Sequence, residues 1–194
     1  MKRKTPEKST KETETESTSK KSRPTMKYCA FLRGINVGGR RILMKDLAKS
    51  FVNAGYKDVE TFIASGNVIF TSKSPPVHSH IEEFLESEFG TIPVFVRSIS
   101  ELQDIIQSLD TSYPTTNIAF LKSKLTEEKR NLLMKHSSDE DQLVCRDLEY
   151  VWYSKTKMSE SPLFKVSFEK LLECDLTVRN RNTLSRIIAK YAST

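Results

Sequence analysis

The sequence predicts an α+β protein of two tandem ferredoxin-like halves (β-α-β-β-α-β, the α/β plait) behind a disordered N-terminal tail. Three observations carry the prediction. The apolar period switches between strand-like and helix-like spacing in the order β-α-β-β-α-β, and the order recurs. Short segments at equivalent places in the two runs resemble each other. The first 25 residues contain no Leu, Ile, Val, Phe, Tyr or Trp, so they cannot bury enough apolar surface to offset the entropy of ordering.

In the first run, Lys27 to Arg33 reads as a short buried strand bounded by Gly34. Met44 to Ala54 places Leu47, Phe51 and Ala54 at helical spacing, and Gly55 stops the helix. Val59 to Ala64 and Val68 to Thr71 read as strands joined by a tight turn at Ser65-Gly66-Asn67. Val77 to Phe89 is an amphipathic helix with Ile81, Phe84, Leu85 and Phe89 on one face. Ile92 to Arg97 is the fourth strand.

A linking helix over Ser100 to Leu109 precedes the second run. Asn117 to Leu121 is a strand. Thr126 caps a helix reaching Lys135, with Glu127 and Glu128 in its first turn. Leu143 to Arg146 and Tyr150 to Ser154 are strands, Pro162 to Glu173 is a helix with Pro near its start, Leu176 to Arg179 is a strand, and Thr183 to Tyr191 is a closing helix. The expected organisation is a tail (1–25), a first half (26–98), a linking helix and turn (99–114) and a second half (115–194). Ala30-Phe31-Leu32-Arg33 is echoed by Ala119-Phe120-Leu121-Lys122, and Val94-Phe95-Val96-Arg97 by Leu176-Thr177-Val178-Arg179. These echoes point to an internal duplication.

The net charge of +6 divides unevenly. The tail holds eight basic and four acidic residues, or +4, which leaves +2 for the remainder. The folded part therefore has no general electrostatic grip on nucleic acid, and only a local patch could supply one. The tail clusters Lys2-Arg3-Lys4 and Lys20-Lys21-Ser22-Arg23 serve either as a nuclear import signal, in a host with a nucleus, or as a plain solubilising extension. No stretch approaches the length of a membrane helix, and no apolar core follows the charged start as in a signal peptide. Cys29, Cys145 and Cys174 are odd in number and lack zinc-site spacing, which places the chain in a reducing, cytoplasmic setting.

Three segments carry ligand chemistry. Leu32-Arg33-Gly34-Ile35-Asn36-Val37-Gly38-Gly39-Arg40-Arg41 puts three glycines and three arginines between a strand and a helix. Such a loop turns backbone N–H groups toward an anion, or it is a mobile loop with solvated arginines. It is neither a Walker A loop nor a Rossmann fingerprint. In a β-α-β-β-α-β unit the first two strands run parallel, so this loop and Ser65-Gly66-Asn67 share one sheet edge. That makes Arg33, Asn36, Gly38, Gly39, Ser65 and Asn67 a candidate constellation. The third segment, Thr177 to Thr183, offers Arg179, Asn180 and Asn182 at a strand-to-helix junction, where an asparagine caps the helix or the group holds a phosphate or carboxylate. Within one half this edge lies opposite the first loop, and only packing between halves brings them together.

His78, His80 and His136 do not form a metal or catalytic pattern, and no Gly-x-Ser-x-Gly elbow or Cys-His signature occurs. Arginines and asparagines hold ligands rather than move protons. The expected function is binding of an anionic, phosphate-bearing ligand, a nucleotide or nucleic-acid segment. The alternatives are an enzyme of nucleotide or phosphoryl chemistry working by electrostatic positioning, and a structural interaction module. No cofactor is indicated.

Residues 27–191 resemble the family known as domain of unknown function 1697. The resemblance rests on Leu-Arg-Gly-Ile-Asn-Val-Gly-Gly at 32–39, Ile-Ala-Ser-Gly-Asn-Val-Ile-Phe at 63–70, Val-Phe-Val-Arg-Ser at 94–98 and Val-Arg-Asn-Arg-Asn-Thr at 178–183. It implies two ferredoxin-like halves and no particular activity. It adds Arg97 to the candidate residues, and Gly34, Gly66 and Thr183 to the recurring positions. Where the family pattern has Trp, this chain has Arg181.

Overall fold

Strand alternation sets the layers. In β1 (Met26–Leu32), Cys29 and Phe31 face one side while Tyr28, Ala30 and Leu32 face the other, and all five are buried. A strand apolar on both faces must be covered on both. The computed structural model, which describes Met1, residues 25–39 and residues 41–192, shows how. The expectations for the tail and for Arg40 lie outside the described residues.

The first half continues through α1 (Met44–Asn53), β2 (Lys57–Phe62), β3 (Asn67–Ser72), α2 (His78–Phe89) and β4 (Val94–Ser98). A connecting helix α3 (Ile99–Gln107) opens with a capping box in which Ser98 and Glu101 each satisfy the other's backbone N–H. The second half comprises β5 (Thr115–Leu121), α4 (Glu127–Met134), β6 (Asp141–Cys145), β7 (Glu149–Ser154), α5 (Phe168–Leu172), β8 (Leu176–Asn180) and α6 (Arg181–Tyr191). Each half is a four-stranded antiparallel sheet, in the orders β2-β3-β1-β4 and β6-β7-β5-β8.

Helices α1 and α2 cover one face of the first sheet, around Leu47, Phe51, Ile81 and Leu85. Helices α4 and α5 cover one face of the second, around Leu133, Phe168 and Leu172. The remaining two faces meet across a central core that α3 and α6 help to close. At its middle Phe31 and Phe120 stack with ring centroids 4.5 Å apart. Among the described residues no helix is long and apolar enough to cross a membrane, and all three cysteines are free thiols.

Two local expectations need correction. The helix expected over Pro162 to Glu173 is broken. Short 3-10 turns occupy Met158–Glu160 and Pro162–Lys165, Val166 is extended at φ −80° and ψ 121°, and α5 is only five residues long. Leu163 and Phe168 are both buried on the same sheet, yet five residues of continuous helix would set them about 140° apart. The break resolves that conflict, with Ser161 capping the second turn and bonding Asp141. Beside the short helix a cavity of about 340 Å³ lies next to Asn117, Ala119 and Trp152, which are themselves buried. The tight turn after β2 also differs from expectation. Its positive-φ residues are Ile63 (50°) and Gly66 (74°), while Asn67 is fully buried as the first residue of β3.

Candidate functional site

The first loop and the β2–β3 turn do share one edge. Asn36 Nδ2 donates to Ala64 O (2.8 Å), and Leu32 N donates to Gly66 O (2.7 Å). Asn67 Nδ2 donates to Phe62 O (3.0 Å) and Ser65 Oγ (2.8 Å). Packing between the halves then brings the third segment to the same place. Arg179 Nε donates to Asn67 Oδ1 (2.7 Å), and Nη2 donates to Leu32 O and Ser65 O, both at 3.0 Å. Nη1 is held within β8 by Thr177 Oγ1 (2.8 Å) and Val178 O (2.9 Å). The guanidinium lies over the Phe31 ring, 5.4 Å from its centroid.

Arg97 repeats this arrangement in the opposite direction. From β4 its Nη2 donates to Leu121 O (3.0 Å) and Leu148 O of the second half, and Nη1 donates to Val96 O (2.8 Å). It lies over Phe120, 5.3 Å from the centroid, with Glu149 at 3.9 Å. The positions match: Arg97 pairs with Cys29 of β1 in the same register that Arg179 pairs with Ile118 of β5. Burial pushes the pKa of Arg179 down to about 10 and lowers that of Arg97 from its ordinary value. Arg97 is buried and Arg179 half-buried, and each donates from Nη2 to two backbone carbonyls of the other half.

Arg33 does not reach its own loop. It ion-pairs with Glu169 on α5, with Asp175 at 3.8 Å. Lys122, at the matching position after β5, pairs with Glu82 on α2 (2.6 Å) and Asp175 (3.3 Å). Gly38 (φ 61°) and Gly39 (φ 83°) are exposed, and Asn36 and Gly39 border a shallow depression with Arg41, Leu43 and Ala64.

At the start of α6, Asn180 accepts a hydrogen bond from Thr183 N (2.8 Å) and so caps the helix. Beside it is a cavity of about 230 Å³ bordered by Thr116, Asn117, Met158, Asn180, Arg181 and Asn182. Thr116 and Asn117 are each only 3% exposed. Thr116 Oγ1, Asn117 Nδ2 and Arg181 Nη1 are buried without a hydrogen-bond partner among the described residues. Unmatched buried polar atoms are uncommon and need an explanation. Here all three belong to residues that border one cavity at a helix N-terminus, and they are a hydroxyl, an amide N–H and a guanidinium N–H. That set is suited to an anion. No carboxylate, imidazole or thiol borders the cavity. Thr116 and Asn117 were not candidates from sequence, because polar residues at the start of a strand look like an exposed end. Only the short α5 and the position of α6 turn them into cavity walls.

The structure is thus a two-sheet α+β protein whose halves lock through exchanged arginines. The chain belongs to the family described as Protein of unknown function (DUF1697), whose model matches residues 26–150. That match includes Arg33, the Ser65 turn and Arg97, and stops before Val178 to Thr183. No curated protein matches the chain. A solved structure of a conserved bacterial protein from Streptococcus pneumoniae is similar, with a TM-score of 0.69 at 22% identity, covering 86% of this chain and 98% of that one. At that identity the likeness speaks for the fold.

Proposed function

We propose that the protein is a binding module for an anionic, phosphate-bearing small molecule, held at the start of α6. The single observation that carries this reading is that three residues bordering one cavity, Thr116, Asn117 and Arg181, each hold a buried polar atom without a partner. Asn182 and the first N–H groups of α6 complete the donor set, and Asn180 holds the helix end in place. Arg33, Arg97 and Arg179 serve this reading from behind, by fixing one half against the other.

The same reading takes the halves as duplicated ferredoxin-like units. The strand orders, the matched arginines and the matched Arg33 and Lys122 ion pairs support it. Free thiols fit a reducing, cytoplasmic location.

The test is calorimetric titration of the full chain with inorganic phosphate and pyrophosphate, in wild type and Arg181→Ala. Loss of one charge-assisted hydrogen bond should weaken binding roughly ten- to a hundredfold while the melting temperature stays unchanged. Absence of anion binding by the wild type, or equal binding by Arg181→Ala, overturns the proposal.

A further inference from the structure

The sheet edge that gathers the first loop and the β2–β3 turn also carries aliphatic side chains that the fold leaves in water. Val37 is 65% exposed, Leu43 46% and Ile63 41%. Leu43 borders the shallow depression between Asn36, Arg41 and Ala64, while Val37 follows Asn36 in the chain and Ile63 precedes Ala64. The hydrogen bond from Asn36 Nδ2 to Ala64 O (2.8 Å) ties the two segments together there. Ile63 is anomalous on two counts. It is a β-branched residue at φ 50°, a left-handed conformation that such side chains rarely adopt, and it is exposed. Asp58 and Glu173, the other non-glycine residues at positive φ among the described residues, are polar. Strain and exposure both count against stability at Ile63, and strained residues collect at functional sites.

The surroundings are positive. Arg41 lines the depression and Lys45 follows Met44 of its rim, both exposed. Arg186, also exposed, lies over the ring of Phe62, the neighbour of Ile63, 5.2 Å from its centroid. None of the three ion-pairs with a carboxylate of the described residues. No carboxylate borders the depression. The acids nearest in sequence are Asp46, on the first turn of α1, and Glu60, which pairs with Lys190.

We propose that this edge docks a partner protein through a segment whose apolar side chains are flanked by carboxylates. The apolar chains bury Val37, Leu43 and Ile63, and the carboxylates meet Arg41, Lys45 and Arg186. The two chemistries together select this partner. A nucleic-acid strand engages cations and stacks its bases on aromatic rings, which leaves three aliphatic chains unused. A neutral apolar segment leaves three cations facing no opposite charge. A second copy docked edge to edge sets like charges against each other. The docking edge uses none of Thr116, Asn117 and Arg181, so it stands apart from the anion reading above.

The probes are two dye-labelled amphipathic peptides about four helical turns long. One carries Leu along a single face and Glu elsewhere; in the other, Lys replaces Glu. Binding to the full chain is followed by fluorescence polarisation over a range of salt. The acidic peptide should bind roughly tenfold or more tighter than the basic one and weaken as salt rises. Arg41→Glu and Ile63→Asp should each lower that affinity roughly tenfold or more. Ile63→Asn separates docking from folding, because Asn tolerates positive φ: it should weaken the peptide while the melting temperature holds or rises. Absence of binding by the acidic peptide, equal binding by the two peptides, or tighter binding of a single-stranded oligodeoxythymidylate than of the acidic peptide overturns the proposal. A lower melting temperature for Ile63→Asn with peptide binding intact also overturns it, since Ile63 then serves the fold.

Discussion

Removing the Arg179 guanidinium should destabilise the whole protein. Its donors engage Asn67 Oδ1, Leu32 O, Ser65 O, Thr177 Oγ1 and Val178 O. Arg179→Met keeps an unbranched stem over Phe31 but leaves those acceptors without their donor. Each hydrogen bond from a charged donor is worth about 1.5–3 kcal/mol, and with water restoring part of the loss the change should cost about 3–5 kcal/mol in all. That is a large share of the 5–15 kcal/mol typical of a domain. For a chain of this length it corresponds to a fall of roughly 6–20 °C in melting temperature. Arg179→Lys retains the charge but only three donors on one atom, so it should lose about 1–3 kcal/mol. Urea titration followed by circular dichroism measures both. A single transition with an unchanged slope is expected, because the clamp joins the halves into one cooperative unit. If Arg179→Met stays within about 0.5 kcal/mol of wild type, the clamp is not structural. Two separated transitions in the wild type would show that the halves do not depend on each other.

The glycines separate by environment. A Cβ on Gly66 (φ 74°) would sit 3.0 Å from Leu32 O and 3.1 Å from Ile35 Cδ1, whereas one on Gly38 (φ 61°) meets nothing within 4 Å. Thermal melts should show Gly66→Ala losing about 2–3 kcal/mol and Gly38→Ala only about 1 kcal/mol, the share due to backbone conformation alone. A pH series tests His78. Burial holds its imidazole pKa below 6.5, and the Arg97 charge adds to that shift. The neutral form therefore favours the fold, and this contribution is full above pH 6.5 and drains as pH falls through the folded-state pKa. As pH falls below 6.5, wild type should lose stability faster than His78→Gln, and parallel curves would refute the assignment.

The element order was legible because apolar spacing changes with each element, and strands such as Val94 to Arg97 carry few alternatives. The break after Pro162 was not legible: proline near a helix start and a following apolar run look the same whether the helix continues or restarts at Phe168. The two Val-Arg strand endings, read as an internal echo, place Arg97 and Arg179 at matched register positions. Their partners stayed hidden, since backbone carbonyls have no sequence signature and Leu32 lies 147 positions from Arg179. The sequence places Arg33 beside its glycine loop, but the ion pair with Glu169 depends on the packing of α5 from the other half. The cavity by α6 needed the same long-range information.

The exchange of arginines also imposes an order in time. A ribosome finishes β1 long before it delivers Arg179, and at 5–20 residues per second the intervening stretch takes roughly 7–30 s. Throughout that interval the inward face of the first sheet, with Phe31 and the Leu32 carbonyl, has no second sheet to meet. Arg97 waits a shorter time, since Leu121 and Leu148 follow it by 24 and 51 positions. The nascent chain thus passes through a stage with one side of the clamp set and the other open, and that stage is when a chaperone would find most to hold.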